Sequence, residues 1–271
     1  MNKRKSLKEL NLLDKFLFDE AMDDPENVKT MLDIILSQNT NLKQSPQTEK
    51  EQRTSTDNRQ IRLDVYAIDE DDVIYEVEAQ KENTHNLPKR SRLYQGIIDS
   101  KLLPPGVVDF NLLNEVLIVL IMPFDLFGYG LYRYTFQMKC EEVPELKLDD
   151  GATRIFLNTR GKHPELVSPE LIELLKYMEH STDEISEACE SKRIQEMHRR
   201  VCQIKASEKA EVKYMQTWEE KILIKQEGER IGLERINRLN QKLIEQGRFD
   251  DLTKATSDSS YQEKLLKEFK I

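Results

Sequence analysis

The sequence predicts an α/β domain followed by an α-helical C-terminal region. Three observations carry this. Residues 61–80, IRLDVYAIDEDDVIYEVEAQ, alternate with period two on either side of an acidic turn, the pattern of a β-hairpin. Around that hairpin, amphipathic helical stretches interleave with short β-type runs, as expected of helices packed on a sheet. After residue 183 the chain is dense in both charges, with one tryptophan (Trp218) and no proline, which suits helix.

The elements follow in order. LNLLDKFLFDEAM reads as a short helix rich in Leu and Phe. In residues 25–37, Val28, Met31, Leu32 and Ile35 fall at i, i+3, i+4 and i+7 of a second helix. Asp24 suits its N-cap and Pro25 its first position. Residues 40–60 carry almost no large apolar side chain and read as an exposed loop or a polar edge strand. In the hairpin, Ile61, Leu63, Val65 and Ala67 alternate with Arg62, Asp64, Tyr66 and Ile68. Asp69–Asp72 forms the turn, and Tyr75, Val77 and Ala79 alternate with Glu76, Glu78 and Gln80. Asn86 and Pro88 open a helix that ends before Pro104-Pro105-Gly106. Glu115 to Met122 is a buried strand stopped by Pro123, and Leu131–Met138 and Arg154–Thr159 are further β-type runs. Ser168 and Pro169 open a helix through about His180, with Leu171, Leu174, Leu175 and Met178 inside. In the C-terminal region Leu233, Ile236, Leu239, Leu243 and Ile244 make a helical stripe, with Gly228 and Gly232 interrupting upstream and Gly247 ending it. A last short helix covers Tyr261 to Phe269. Phe110, Phe124, Phe127, Tyr132 and Phe136 are assigned to the core, and Cys140 is read as a small buried residue. The division proposed from this text is a domain over 1–183 and a charged helical region over 184–271.

Composition narrows the function classes. The longest uninterrupted apolar run, Val116 to Met122, is far below the ~20 residues of a membrane span. The basic start, MNKRKSLKEL, has no apolar stretch behind it, so no secretory signal is expected. Three scattered cysteines, Cys140, Cys189 and Cys202, argue against a disulfide framework or a zinc site, and a reducing cytoplasm is the expected setting. The four histidines, at 85, 163, 180 and 198, are equally dispersed. The net charge of −9 argues at first against nucleic acid. It is uneven, however. Residues 1–183 hold 33 Asp+Glu against 23 Lys+Arg, whereas residues 184–271 hold 17 against 18.

Chemistry is concentrated in the hairpin. Glu78 and Gln80 share a face because the strand period is two, and Asp64 lies on the partner strand. Two carboxylates, an amide and the Ala79 carbonyl are oxygen donors of the kind Mg²⁺ prefers, and such a site activates water against a phosphodiester. The same pattern is also what the solvent face of an antiparallel sheet carries. On the following helix, Arg90, Arg92, Tyr94 and Lys101 offer contacts to DNA phosphates; an ordinary exposed helix with Tyr94 half buried would look the same.

The ordered series RLDVYAID, YEVEAQ, LPKRSRLYQGIIDSKLL resembles the recombination-promoting nuclease (Rpn) family, bacterial PD-(D/E)XK nucleases often labelled transposases. Upstream, LLDKFLFDEAMDDPENVKTMLDIIL is similar to the family's opening helices, and NLLNEVLIVLIMPFDLFGYGLYRYTFQ with DDGATRIFLNTRG to its later core; the likeness covers roughly residues 10–180. It implies a restriction-endonuclease-like core, a central mixed sheet flanked by helices. It implies a metal-dependent DNA endonuclease tied to recombination or mobile elements, with Asp64 and Glu78 ligating Mg²⁺ or Mn²⁺. Gln80 stands where other members of the superfamily carry lysine; a neutral amide orients water but is no base. Asp14 resembles an acidic position that completes such sites. The alternative is a catalytically degraded protein of the same fold that self-associates or binds a partner through 184–271. An RNA-directed nuclease is a weaker third reading. Without metal, DNA binding is expected to be weak and to fall steeply with salt.

Overall fold

The structure, a computed structural model, describes residues 5–52 and 61–271. It consists of two compact units, one running to Glu211 and one from Val212 to Ile271.

The first unit is α/β. Its six strands are β1 (Gln47–Gln52), β2 (Ile61–Ile68), β3 (Ile74–Ala79), β4 (Val116–Met122), β5 (Arg133–Phe136) and β6 (Ala152–Asn158). They form one mixed sheet in the order β1-β2-β3-β4-β6-β5. The β1, β2 and β3 strands pair antiparallel, β3–β4 and β4–β6 pair parallel, and β5 returns antiparallel on β6. The centre of this sheet, β3 and β4, is buried almost end to end, as a parallel pair covered on both faces must be. The stretch 47–52 is therefore a polar edge strand, and its polarity is what an unpaired edge tolerates.

The helices of this unit are α1 (Lys15–Met22), α2 (Pro25–Leu36), α3 (Leu87–Asp99), α4 (Pro169–Glu179), α5 (Asp183–Ala188) and α6 (Lys192–Lys205). α2 starts as the sequence dictates: Pro25 occupies N1, and the Asp24 side chain accepts from Glu26 N at 2.9 Å. It stops at Ser37, whose φ of 54° is left-handed. α3 lays Leu87, Tyr94, Ile97 and Ile98 against Tyr66, Ile74, Ile118, Leu120 and Phe156 of the sheet. Elsewhere α1 reaches β1 and β2, while α2, α4 and α6 pack on one another.

Three sequence expectations change here. α5 and α6 pack with α1, α2 and α4, so the proposed break at 183 falls inside the first unit. Phe110 and Phe136 are exposed rather than core: Phe110 starts a short 3₁₀ turn, and Phe136 ends the edge strand β5. Gly228 and Gly232 do not interrupt a helix: α7 (Glu208–Glu245) runs through both, since an exposed glycine weakens a helix by only ~1 kcal/mol. Gly247 follows its end with φ +66°. In the second unit, Leu239 and Leu243 of α7 bury against Ala255 of α8 (Phe249–Ser257) and Leu265 and Leu266 of α9 (Ser259–Glu268), while Leu233 and Ile244 of the stripe stay exposed.

One glycine is fixed by packing. A Cβ on Gly161 would overlap the ring of Tyr132. Gly161→Ala should cost about 1–3 kcal/mol, read as a lower urea midpoint at unchanged m-value.

Candidate functional site

The β2–β3 ladder runs from Ile68 opposite Ile74 to Val65 opposite Val77. Asp64 and Glu78 are the next residues along each strand, at the point where that ladder stops. Neither is on a solvent face. Asp64 is 6% exposed, Glu78 8% and Glu76 0%. This excludes the solvent face of a sheet, which would leave these side chains open.

Two cations answer the three carboxylates. Lys15, the first residue of α1, forms a close ion pair with Asp64 and a longer one with Asp19 at 3.2 Å. Arg90, in the first turn of α3, gives its Nη2 to Glu78 Oε1 at 2.6 Å and to Gln80 Oε1 at 2.5 Å. The match is incomplete. Both oxygens of Glu76, Oε2 of Glu78 and Nε of Arg90 are buried with no hydrogen-bond partner.

The electrostatics follow from burial. Burial pushes Glu78 up to about 7, against the pull of Arg90 and with Asp64 adding to the push. Burial, then the charges of Glu78 and Asp64, hold Glu76 well above the carboxylate range. Burial also raises Asp64, although Lys15 and Arg90 pull it down. Asp19 rises to about 7 for the same first reason. Burial lowers Lys15, but Asp64 and Asp19 more than offset this and raise it. The site is thus a buried acidic cluster with oxygen donors to spare. These donors suit a hard divalent cation: Asp64, Glu76 and Glu78 supply buried carboxylate oxygens of the kind Mg²⁺ takes.

The remaining sequence candidates are placed as follows. Gln80 is half-buried, and its Nε2 donates to the Glu82 carbonyl. Ala79 closes β3 between Glu78 and Gln80. Asp14 is the N-cap residue of α1, accepts from Asn11 N at 2.9 Å and pairs with Lys81, so its carboxylate already has partners. Arg92 and Lys101 are exposed. Two of the expected phosphate contacts are corrected: Tyr94 is 9% exposed and packs in the core under α3, and Arg90 is engaged by Glu78 and Gln80, with its guanidinium carbon 5.9 Å from the Tyr94 ring centre. Lys101 lies near enough to Lys50 to add to the burial that lowers the Lys50 ammonium, and Lys50 sits 3.3 Å over the Tyr66 ring.

Lys15 was not among the sequence candidates, and Glu76 was read as a neighbour of Glu78 and Gln80 but not as a ligand. Glu76 belongs to the same alternating series as Glu78 and was within reach of the pattern. Lys15 is 49 positions from Asp64, and no local spacing links them. No family model, curated protein or solved structure matches the chain.

Among the described residues, no helix is long and apolar enough to cross a membrane.

Proposed function

We propose that the chain is a Mg²⁺- or Mn²⁺-dependent DNA endonuclease of the Rpn, PD-(D/E)XK kind. The observation that carries this is the burial of Asp64, Glu76 and Glu78 together, with three of their oxygens unpartnered. Buried acids without partners are costly, and functional sites are where such cost is retained. A bound divalent cation would offset their charge, polarise a phosphoryl oxygen and help deprotonate water.

The chain's own residues take the other roles. Asp64 and Glu78 hold the cation, with Glu76 beside them. Gln80, fixed by Arg90, orients the attacking water through its amide. The ammonium that a lysine at position 80 would have supplied is supplied by Lys15 from α1, next to Asp64. Lys101 with Lys50, and Arg92 on the exposed side of α3, hold the phosphates on either side of the cut. The helical C-terminal region is available for self-association, and recombination or mobile-element DNA is the expected context.

One observation favours the rival, a non-catalytic protein of this fold that works by binding: Lys15 and Arg90 already neutralise Asp64 and Glu78. Supercoiled plasmid decides between them. The purified full chain should convert it to nicked and linear forms with Mg²⁺ or Mn²⁺ and not with chelator. Intact plasmid under both metals from pH 6 to 9 would leave the binding module as the reading.

A further inference from the structure

The packing of α4, α5 and α6 assembles a second set of ligand-type side chains, none of which belongs to the acidic cluster. Asp183 is the first residue of α5, and Thr182 caps it by accepting from Ile185 N. His198 and Cys202 are four apart on α6, so they stand one above the other on the same edge of the helix. The sequence gives each of these residues no visible partner; the fold brings all three together. His198 Nε2 lies 2.8 Å from Asp183 Oδ1 and 3.3 Å from Cys202 Sγ, and that sulfur lies 3.9 Å from Asp183 Oδ1. His198 is buried, Cys202 half-buried and Asp183 exposed.

We propose that Asp183, His198 and Cys202 form a Zn²⁺ site, with one position left to water, that clips the start of α5 to α6. The donor set is one imidazole nitrogen, one sulfur and one carboxylate oxygen. That mixture suits Zn²⁺ and does not suit Mg²⁺, so it is unrelated to the metal of the acidic cluster. The spacing also fits. Tetrahedral bonds of about 2.0–2.1 Å to nitrogen and about 2.3 Å to sulfur place those two atoms roughly 3.5 Å apart. The observed 3.3 Å needs a few tenths of an ångström of opening, and the 2.8 Å between His198 Nε2 and Asp183 Oδ1 needs about half an ångström, which the exposed Asp183 side chain can give.

The surroundings hold the imidazole for this role. Tyr177 of α4 places its hydroxyl 3.0 Å from His198 Nδ1 and its ring edge-on at 5.5 Å between centres. Without metal, Nε2–H donates to Asp183 and the Tyr177 hydroxyl donates to Nδ1; with a metal on Nε2 the proton would sit on Nδ1 and the same hydroxyl would accept it, as a second partner does for a metal-bound histidine. A simple Asp183–His198 hydrogen bond accounts for one contact of the three; it does not account for the sulfur delivered to both atoms. The clip also answers a structural need. α5 has six residues, too few to persist alone, and a metal ties it to a helix more than twice its length. Binding sends the Cys202 thiol proton to solvent.

Cobalt reads the sulfur directly. The full chain, stripped with chelator and titrated with Co²⁺ in excess Mg²⁺ so that the acidic cluster is occupied, should develop a thiolate-to-cobalt charge-transfer band in the near ultraviolet that saturates at one equivalent and that Zn²⁺ then abolishes. Cys202→Ser should remove the band, and Tyr177→Phe should weaken binding about tenfold while keeping it. Absence of the band at saturating Co²⁺, or its survival in Cys202→Ser, overturns the proposal. If Cys202→Ser does not fold, the unaltered chain decides: zinc must raise its melting temperature, and an unchanged value overturns the site.

Discussion

Asp64→Asn is expected to lower metal-dependent DNA cleavage by at least about 10²-fold while leaving the fold in place. The substitution keeps the shape of the side chain and removes the charge that a divalent cation needs. Its structural cost is contained. Lys15 loses one anionic partner but keeps Asp19 at 3.2 Å, and the Arg90–Glu78 pair is untouched. The loss therefore separates chemistry from collapse, provided that melting temperature and rate are measured on the same sample. Single-turnover cleavage at saturating Mg²⁺ is the right measurement, because it excludes product release. Cleavage by Asp64→Asn within about threefold of the unaltered chain would remove Asp64 from the site. It would also leave the position at the end of the β2–β3 ladder as an ordinary buried ion pair.

Much of the architecture was legible because it rests on short-range patterns. The hairpin was readable because Ile61–Ile68 and Ile74–Ala79 alternate around Asp69, which accepts from Asp71 N and Val73 N to close the turn. Helix starts were readable because Asp24 and Ser168 are capping residues followed by proline. The candidate site was half legible. Asp64, Glu78 and Gln80 came from the hairpin itself; Arg90 came from the next helix as a contact to DNA phosphate, whereas the fold turns it onto Glu78 and Gln80. The burial of the acids was not legible, since period-two alternation cannot say which face is covered; that depends on α3, which places Leu87 and Tyr94 over the sheet. Lys15 was out of reach because its pairing is tertiary. The same limit explains the Asp183, His198 and Cys202 group. Four residues along α6 link His198 to Cys202, but Asp183 arrives through the α4–α5 turn, and nothing in the intervening text marks it. The glycines of α7 show the converse error, where a local signal was given weight that exposed helix does not enforce.

Glu76→Gln should stabilise the metal-free chain at pH 8 by about 2–4 kcal/mol and should flatten the dependence of its stability on pH. Glu76 is fully buried, and neither of its oxygens has a hydrogen-bond partner. Burial, then the neighbouring Glu78 and Asp64, push its pKa well above the carboxylate range and so favour the protonated form. A carboxyl whose folded pKa is raised binds its proton more tightly folded than unfolded. Its contribution to stability is complete below the unfolded pKa and is lost as pH rises through the folded one. For Glu78 that window runs from its ordinary 4.5 to about 7, and Asp19 adds a window from 3.8 to about 7. In chelator, the melting temperature should therefore fall between pH 5 and pH 8. Glutamine cannot ionise, so Glu76→Gln removes one acid from this group and relieves its neighbours as well. Added Mg²⁺ should reverse the trend in the unaltered chain, because a cation favours the ionised carboxylates and so stabilises most at high pH. The two effects oppose each other in the variant: it should gain stability without metal and gain less from Mg²⁺. A metal-free stability that rises from pH 5 to pH 8, or a Glu76→Gln chain less stable than the parent at pH 8, would show that these acids are not held as buried neutral groups. The surplus of unpartnered oxygen that argues for a cation would then lose its physical basis.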